Sequence, residues 1–300
     1  MNWPSAARLA SAFTGVGADV AALYPPGHVL ASSRFPVARH LYSPLAPLAS
    51  VARALSRSTP DLVVPCDDRA LSLLVRLGSR YGVVARSLGA LESYPKLAAR
   101  GAFIDAARAL GIAAPETIAV ADEAAFEAAL ARLGLPAVLK SDGSWGGAGV
   151  VIARSTEQAR AMFRRLSATP SRLRSLARAA LRRDAHFLHE AIRPAAPAVS
   201  LQRFVAGTPA TSAFACWKGR VLATIHMDVL ETITPTGSAS VMRRSDCREM
   251  EVAAIKIAER FGLSGLHGLD FVRDSSGRPH LVEINPPRHP GQRPGPRPRP

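Results

Sequence analysis

The sequence predicts a mixed α/β protein, in which an N-terminal unit with a doubly wound parallel sheet precedes an α+β part with antiparallel strands. Three observations support this prediction. Strands and helices alternate over the first 93 residues, which is typical of a parallel sheet. From residue 94 the pattern changes, and antiparallel strands follow one another. Apolar residues make up 48% of the 300 positions and charged residues 20%, enough to bury more than one core.

The N-terminal unit covers residues 1–93 and begins with a helix. Parallel sheets of this kind normally begin with a strand, so we expect the start of the unit to be truncated. Asp67 or Asp68 can cap a later helix, because a carboxylate accepts hydrogen bonds from the free backbone amides of its first turn. The predicted elements are a helix over 5–13, strands over 20–23 and 61–65, and a helix that ends at Leu77.

Two further units are expected over residues 94–195 and 196–286, followed by a tail over residues 287–300. The tail contains Pro, Arg, Gly, His and Gln, so it can bury little and is predicted to be extended. The predicted elements are helices over 96–110, 122–133, 171–183 and 246–261, strands over 116–120, 136–140, 150–153, 199–205, 211–217 and 220–227, and a hairpin of strands over 269–272 and 280–284.

The net charge of +15 suggests a nucleic-acid partner, but its distribution favours another explanation. Lysine occurs at four positions, so 34 of the 38 basic residues are arginines, as in a GC-rich coding sequence. Eight of them lie between Glu157 and Asp184, where Arg174, Arg178 and Arg182 would form the solvated face of the amphipathic helix over 171–183. We therefore expect neither nucleic acid nor a membrane as the partner.

Cysteine content and hydropathy bound the location of the chain. The three cysteines are far apart and form no CxxC pair, which argues against a disulfide framework and a zinc site. No segment approaches the roughly 20 consecutive apolar residues of a membrane span. A reducing cytoplasm fits best.

The C-terminal hairpin carries two acidic side chains that can meet. A loop of even length centred on 276–277 pairs Asp274 with Pro279 and puts Asp270 directly opposite Glu283, on one face of the hairpin. Asn285 lies two residues further along and joins the same face. Opposed carboxylates destabilise a strand pair unless a cation lies between them, and Mg²⁺ prefers oxygen ligands. The pattern predicts either a magnesium site or a hairpin whose acids face water.

A glycine-rich segment lies between two predicted strands. Four glycines occur within residues 143–149, which lets backbone amides approach a phosphate closely. Lys140, at the end of the preceding strand, can neutralise phosphate charge. The segment lacks the GxxxxGK[ST] pattern of a P-loop, and a plain flexible turn is the alternative.

Together these motifs resemble the ATP-grasp superfamily, and especially its carboxylate–amine ligase and carbamoyl-phosphate-synthase-like branch. The resemblance covers residues 94–286, extends more weakly to residues 1–93, and implies a two-subdomain ATP-grasp fold after the N-terminal unit. Members of the family normally continue with a folded segment, so a truncated C-terminus is expected here. The motifs follow in this order: Lys96, Lys140 with its glycine segment, SLQRFVAG at 200–207, GLDF at 268–271 and LVEINP at 281–286.

The resemblance also implies a role for individual residues. Two lysines would contact ATP phosphates, a glycine-rich lid would cover them, a hinge would hold adenine, three oxygen donors would bind metal, and two arginines would act beside the transferred phosphate. The phosphate-binding lysines would be Lys96 and Lys140, and the lid residues Gly143, Ser144, Gly146, Gly147 and Gly149. The hinge residues would be Gln202, Arg203, Phe204 and Val205. The metal ligands would be Asp270, Glu283 and Asn285, and the two arginines Arg243 and Arg288.

The function implied by the resemblance is that of an ATP- and Mg²⁺-dependent ligase with small-molecule substrates. One or two Mg²⁺ ions, replaceable by Mn²⁺, would assist ATP in activating a carboxylate as an acyl phosphate, which an amine then attacks. Two alternatives stay open at this point. One is a degenerate ATP-binding protein without turnover, and the other is a basic binder of nucleic acid or an anionic surface.

Overall fold

A computed structural model describes residues 4–141, 149–169, 196–234, 237 and 239–285, together with residues 171, 173 and 177. Three sheets of two, four and five strands are present in these ranges. The predicted mixed α/β architecture is confirmed. The predicted basic helix over 171–183 and the tail over 287–300 lie wholly or mainly outside the described residues. Within the described ranges, no helix combines the length and apolar content needed to cross a membrane.

The N-terminal part contains a two-stranded parallel sheet with helices around it. The predicted strand over 61–65 is wrong: these residues are irregular, and the Val63 amide donates to Ser87 Oγ at 2.9 Å instead of joining a ladder. Asp67 caps the next helix as predicted, its Oδ1 accepting from the Ala70 amide at 2.7 Å. The elements are α1 (Pro4–Gly15), β1 (Val20–Tyr24), β2 (Pro36–Leu41), α2 (Pro47–Ser58), α3 (Asp68–Leu77) and α4 (Gly82–Leu88).

The four-stranded sheet is antiparallel and has one apolar face. Two helices cover that face, where Phe126 and Phe163 stack with their ring centroids 4.5 Å apart over the buried Leu139 and Leu201. The helix predicted over 96–110 is interrupted at Ala99, whose backbone is extended. The elements are α5 (Tyr94–Ala98), α6 (Arg100–Ala109), β3 (Thr117–Val120), α7 (Glu123–Leu133), β4 (Ala137–Ser141), β5 (Val150–Ala153), α8 (Thr156–Ser167) and β6 (Val199–Arg203), with strand order β3-β6-β4-β5.

The five-stranded sheet is also antiparallel and packs one face on a helix. Met250 and Ile257 of that helix are fully buried in a core that includes Leu269 of the sheet and Phe103 of α6. The same core joins this sheet to α2–α6, so the N-terminal helices and the sheet stabilise each other. The elements are β7 (Thr208–Trp217), β8 (Arg220–Thr232), β9 (Ala239–Ser245), α9 (Arg248–Arg260), β10 (Gly265–Arg273) and β11 (Pro279–Asn285), in the order β11-β10-β7-β8-β9.

Gly89 marks a close approach between the end of α4 and the turn before β10. Its φ of +84° lies in the left-handed region, and it forms an isolated bridge with Leu263. A Cβ at this position would lie 2.0 Å from the Gly262 carbonyl oxygen. Only glycine fits both the backbone conformation and the space.

The β10–β11 hairpin has the predicted pairing at its functional end and a different one near its turn. Asp270 pairs with Glu283, as expected, but Arg273 rather than Asp274 pairs with Pro279. A bulge between the two halves leaves Val282 as the extra residue of β11. The pairing next to the turn is shifted by one residue from the predicted one, and the extra residue in the bulge shifts it back by one. The predicted pairing of Asp270 with Glu283 is therefore correct.

Candidate functional site

The second face of the four-stranded sheet is polar. In the ladder, Ser200 of β6 lies opposite Lys140 of β4, and Gln202 lies opposite Thr117 of β3. Residues that are directly opposite share a face, and side chains alternate along a strand. These four side chains therefore lie on the face away from α7 and α8. All four are buried, so another part of the protein covers them.

The bulged hairpin meets this polar face. The backbone carbonyl of Val282 accepts hydrogen bonds from Lys140 Nζ at 3.2 Å and from Gln202 Nε2 at 3.5 Å. As the extra residue of the bulge, Val282 is absent from the ladder with β10, and its carbonyl can point toward the other sheet. Gln202 is fixed further by donating to Thr117 Oγ1 at 2.7 Å. The two sheets thus meet beside the acids of the hairpin.

The three predicted oxygen donors lie together. Asp270 is directly opposite Glu283, and Asn285 Nδ2 donates to Asp270 Oδ2 at 2.5 Å. A half-turn of the amide would present Asn285 Oδ1 instead. Within the described part of the chain, no group of three or more His, Cys, Asp or Glu residues could hold a metal. The set of two carboxylates and one amide suits a hard cation that brings phosphate and water oxygens as its other ligands.

Two cations balance these two carboxylates. Arg100 Nη2 lies 3.6 Å from Glu283 Oε1, and Lys140 is almost fully buried nearby. Burial lowers the pKa of the Lys140 ammonium to about 8; the charge of Arg100 acts in the same direction, whereas Glu283 and Asp270 oppose it. Formal charges within the cluster sum to zero while Lys140 is protonated. Such a cluster can accept an anion and a divalent cation together.

Arg100, rather than the Lys96 that the resemblance indicates, is the cation that lies beside Glu283. Lys96 is exposed on α5, and none of the hydrogen bonds or ion pairs among the described residues joins it to the cluster. Arg100 is the first residue of α6. On the continuous helix predicted over 96–110, positions 96 and 100 lie one turn apart on the same face, so spacing could not distinguish them.

Gln202 is the one member of the predicted hinge whose side chain joins the polar face. The side chain of Arg203 instead donates to the Leu133 carbonyl at 3.2 Å and lies 3.5 Å from Glu116. Phe204 and Val205 are half-buried in the connection between β6 and β7.

The predicted lid lies mostly outside the described residues. Gly149 is described, and its carbonyl accepts a hydrogen bond from the Ser141 amide at 2.9 Å. This bond joins the end of β4 to the start of β5, next to the loop between them. The lid residues Gly143, Ser144, Gly146 and Gly147, and the catalytic candidate Arg288, lie outside the described residues.

Arg243 lies on the opposite face of the sheet from the acids. It pairs with Asp228 in the β8–β9 ladder, and their charged groups are 3.5 Å apart. Asp228 also accepts from Arg273 at 2.9 Å. In the neighbouring row, Asp270, Thr211, Met227 and Arg244 follow one another across four strands and share a face. The expected position of Arg243 beside a phosphate at Asp270 therefore has no support here, and Arg244 is the arginine on that face.

Comparison with known proteins supports the resemblance. Residues 180–291 match the family model of the ATP-grasp domain. None of the functionally curated proteins matches the sequence.

Solved structures extend the likeness to nearly the whole chain. The biotin carboxylase domain of 2-oxoglutarate carboxylase from Hydrogenobacter thermophilus superposes with a TM-score of 0.68 at 14% identity, covering 95% of this chain and 62% of that one. N5-carboxyaminoimidazole ribonucleotide synthetase from Thermus thermophilus superposes with a TM-score of 0.66 at 15% identity, covering 96% of this chain and 70% of that one. Phosphoribosylglycinamide synthetase from Anaerococcus prevotii superposes with a TM-score of 0.61 at 15% identity, covering 94% of this chain and 65% of that one.

These comparisons define the fold of the protein. The chain has the ATP-grasp fold, and the resemblance identified from its motifs is confirmed. It spans 62% of the length of the biotin carboxylase domain and 65% of that of phosphoribosylglycinamide synthetase.

Proposed function

We propose that the protein is an ATP- and Mg²⁺-dependent ligase that joins a small-molecule carboxylate to an amine. The observation that carries the proposal is the neutral cluster between the two sheets, where the buried Lys140 and the half-buried Arg100 face Asp270 and Glu283. Removing charged groups from water costs free energy even when they are paired, and a ligand that contacts both the cations and the carboxylates would offset that cost. A nucleoside triphosphate with a divalent cation has the complementary charges.

Each member of the cluster has a role in this proposal. Asp270, Glu283 and Asn285 would hold one or two Mg²⁺ ions, or Mn²⁺ in their place, and the metal would neutralise charge on the transferring phosphoryl group. Lys140 and Arg100 would bind phosphate oxygens directly. Once the nucleotide is bound, these fixed charges would stabilise the transition state electrostatically.

The proposed reaction has two steps. An oxygen of the substrate carboxylate attacks the γ-phosphorus of ATP, and the bond from that phosphorus to the β,γ-bridging oxygen breaks, which releases ADP and leaves an acyl phosphate. The amine nitrogen then attacks the acyl carbon, inorganic phosphate departs, and the nitrogen loses a proton to water. Residues 143–149 would exclude water that would otherwise hydrolyse the acyl phosphate.

The adenine hinge belongs to the same proposal. Backbone groups of residues 202–205 would hold the base, and the Gln202 side chain, fixed by Thr117, would keep β6 in place beneath it. Arg203 contributes to the fold through Glu116 and Leu133, so its side chain would not touch the nucleotide.

Calorimetry and turnover together test the function. Titration of the full chain with ATP in the presence of Mg²⁺ should show binding, and Lys140→Met should weaken it strongly. Lys218→Met, at an exposed position between β7 and β8, is the matched control and should bind as the wild type does. ADP release should then appear with one pair from a panel of carboxylates and amines. Binding without turnover on every pair would support the degenerate alternative, and salt-sensitive binding to DNA or RNA without ATP binding would support the nucleic-acid alternative.

The location and the division of the chain are also proposed. Cys66, Cys216 and Cys247 are unpaired thiols, which fits a reducing cytoplasm. We retain boundaries after residues 93, 195 and 286, with β6 beyond the second boundary but paired in the four-stranded sheet.

A further inference from the structure

We propose that the hydroxyl of Ser200 is a hydrogen-bonding group for the nucleotide. The inference rests on the proposed function and adds to it a contact that neither the motifs nor the comparisons assign. It starts from an unsatisfied polar atom. Within the described residues, Ser200 Oγ is the buried side-chain N or O atom that has no hydrogen-bond partner.

Such an atom is costly in a folded protein. Most buried polar groups are paired, and an unpaired hydroxyl loses its hydrogen bonds to water without replacement. Alanine at position 200 would fill the same place in β6 without that loss. A serine whose hydroxyl does nothing for the unliganded protein is explained if a ligand supplies the missing partner.

The position of Ser200 defines which ligand this is. It lies on the polar face of the four-stranded sheet, directly opposite Lys140 on β4 and Ala119 on β3. Gln202, whose backbone belongs to the proposed adenine hinge, is two residues further along the same face. The hydroxyl therefore lies between the group that would bind phosphate and the segment that would bind the base.

Access to the hydroxyl depends on the neighbouring lysine. In this structure Ser200 is covered, and the Lys140 ammonium beside it donates to the Val282 carbonyl at 3.2 Å. A nucleotide whose phosphates draw that ammonium away from Val282 would uncover the hydroxyl as it binds. A hydroxyl can both donate and accept, so it can pair with a phosphate oxygen or with an edge of the base.

Ser212 of β7 provides a matched control. It is as deeply buried as Ser200, but its Oγ pairs with His226 Nδ1 at 2.9 Å on the other face from Asp270. Ser212→Ala would leave His226 without that partner. Both variants remove a buried hydroxyl: that of Ser212 has a hydrogen-bond partner, whereas that of Ser200 has none among the described residues.

Thermal unfolding without ligand and calorimetric titration with ATP plus Mg²⁺ test the proposal. For Ser200→Ala we expect the Tm to rise by about 1–3 °C and the Kd for ATP to increase about three- to tenfold, the effect of one net hydrogen bond. For Ser212→Ala we expect a lower Tm and a Kd within about twofold of the wild type. Opposite changes in stability and affinity in the first variant alone would support the role of Ser200.

The outcomes that overturn this inference are separable from those that overturn the proposed function. If the wild type binds ATP and Ser200→Ala binds it equally well, the hydroxyl does not touch the nucleotide, while the proposed function stands. If the wild type does not bind ATP, the proposed function fails and this inference fails with it.

Discussion

The buried ammonium of Lys140 predicts how the stability of the protein depends on pH. Its pKa is about 8 in the folded protein against an ordinary value of 10.5. Below pH 8 the lysine is charged in both states, and the cost of burying the charge is constant. Between pH 8 and 10.5 the unfolded chain binds more protons, so the free energy of unfolding rises with pH.

The size of this effect follows from the difference between the two pKa values. At about 1.36 kcal/mol for each unit, the shift corresponds to a gain of about 3 kcal/mol between pH 7 and pH 11. Lys140→Met removes the titrating group and has a similar length. Subtracting the stability of this variant from that of the wild type at each pH cancels the other groups that titrate in the same range.

Urea unfolding at a series of pH values is the assay. The stability of the wild type relative to Lys140→Met should be flat up to about pH 7 and should increase above pH 8. Parallel curves for the two proteins over the whole range would show that Lys140 keeps its ordinary pKa, and the account of a costly buried charge would then be wrong.

The remaining predictions concern the site and the fold. Arg100→Ala should weaken ATP binding about tenfold in calorimetry, because it removes a charged phosphate contact, whereas Lys96→Ala should change it less than twofold. Glu283→Gln should raise about tenfold the Mg²⁺ concentration needed for half-maximal ATP binding, measured by Mg²⁺ titration at fixed ATP. Gly89→Ala should lower the free energy of unfolding by about 2–4 kcal/mol in urea, because its Cβ would meet the Gly262 carbonyl. Ser155→Ala should lower it by about 1 kcal/mol in the same assay, because the Gln158 amide loses its capping partner.

The predictions for Arg100, Glu283 and Gly89 each have an outcome that would contradict them. Equal effects of Arg100→Ala and Lys96→Ala would remove the distinction drawn between these two cations. A Glu283→Gln variant with an unchanged Mg²⁺ requirement would remove Glu283 from the metal site. Wild-type stability of Gly89→Ala would mean that the contact between α4 and the β10 turn is looser than described.

The sequence predicted best where a local rule decides the structure. Strand Val150–Ala153 was predicted at its observed boundaries, and Asp67 caps a helix as expected. Local hydrogen bonds of this kind depend on a few neighbouring residues. The acids of the hairpin were paired correctly because they share one strand pair.

Prediction failed where tertiary contacts decide. The apolar run over 61–65 has a strand composition, but Val63 bonds to Ser87 and the run has no ladder. Strand β2 (Pro36–Leu41) was missed because polar residues interrupt it and its partner is one short strand. The break at Ala99, which brings Arg100 rather than Lys96 to the acids, falls on an alanine, a residue that favours a continuous helix.

The extra residue in β11 ties the two halves of the site together mechanically. Val282 holds Lys140 through its carbonyl, and the next residue in the chain is Glu283, which would hold the metal. The Val282 carbonyl that accepts from Lys140 belongs to the peptide group that joins Val282 to Glu283. If Glu283 binds the metal as proposed, a shift of its backbone would therefore also move the carbonyl oxygen that Lys140 contacts.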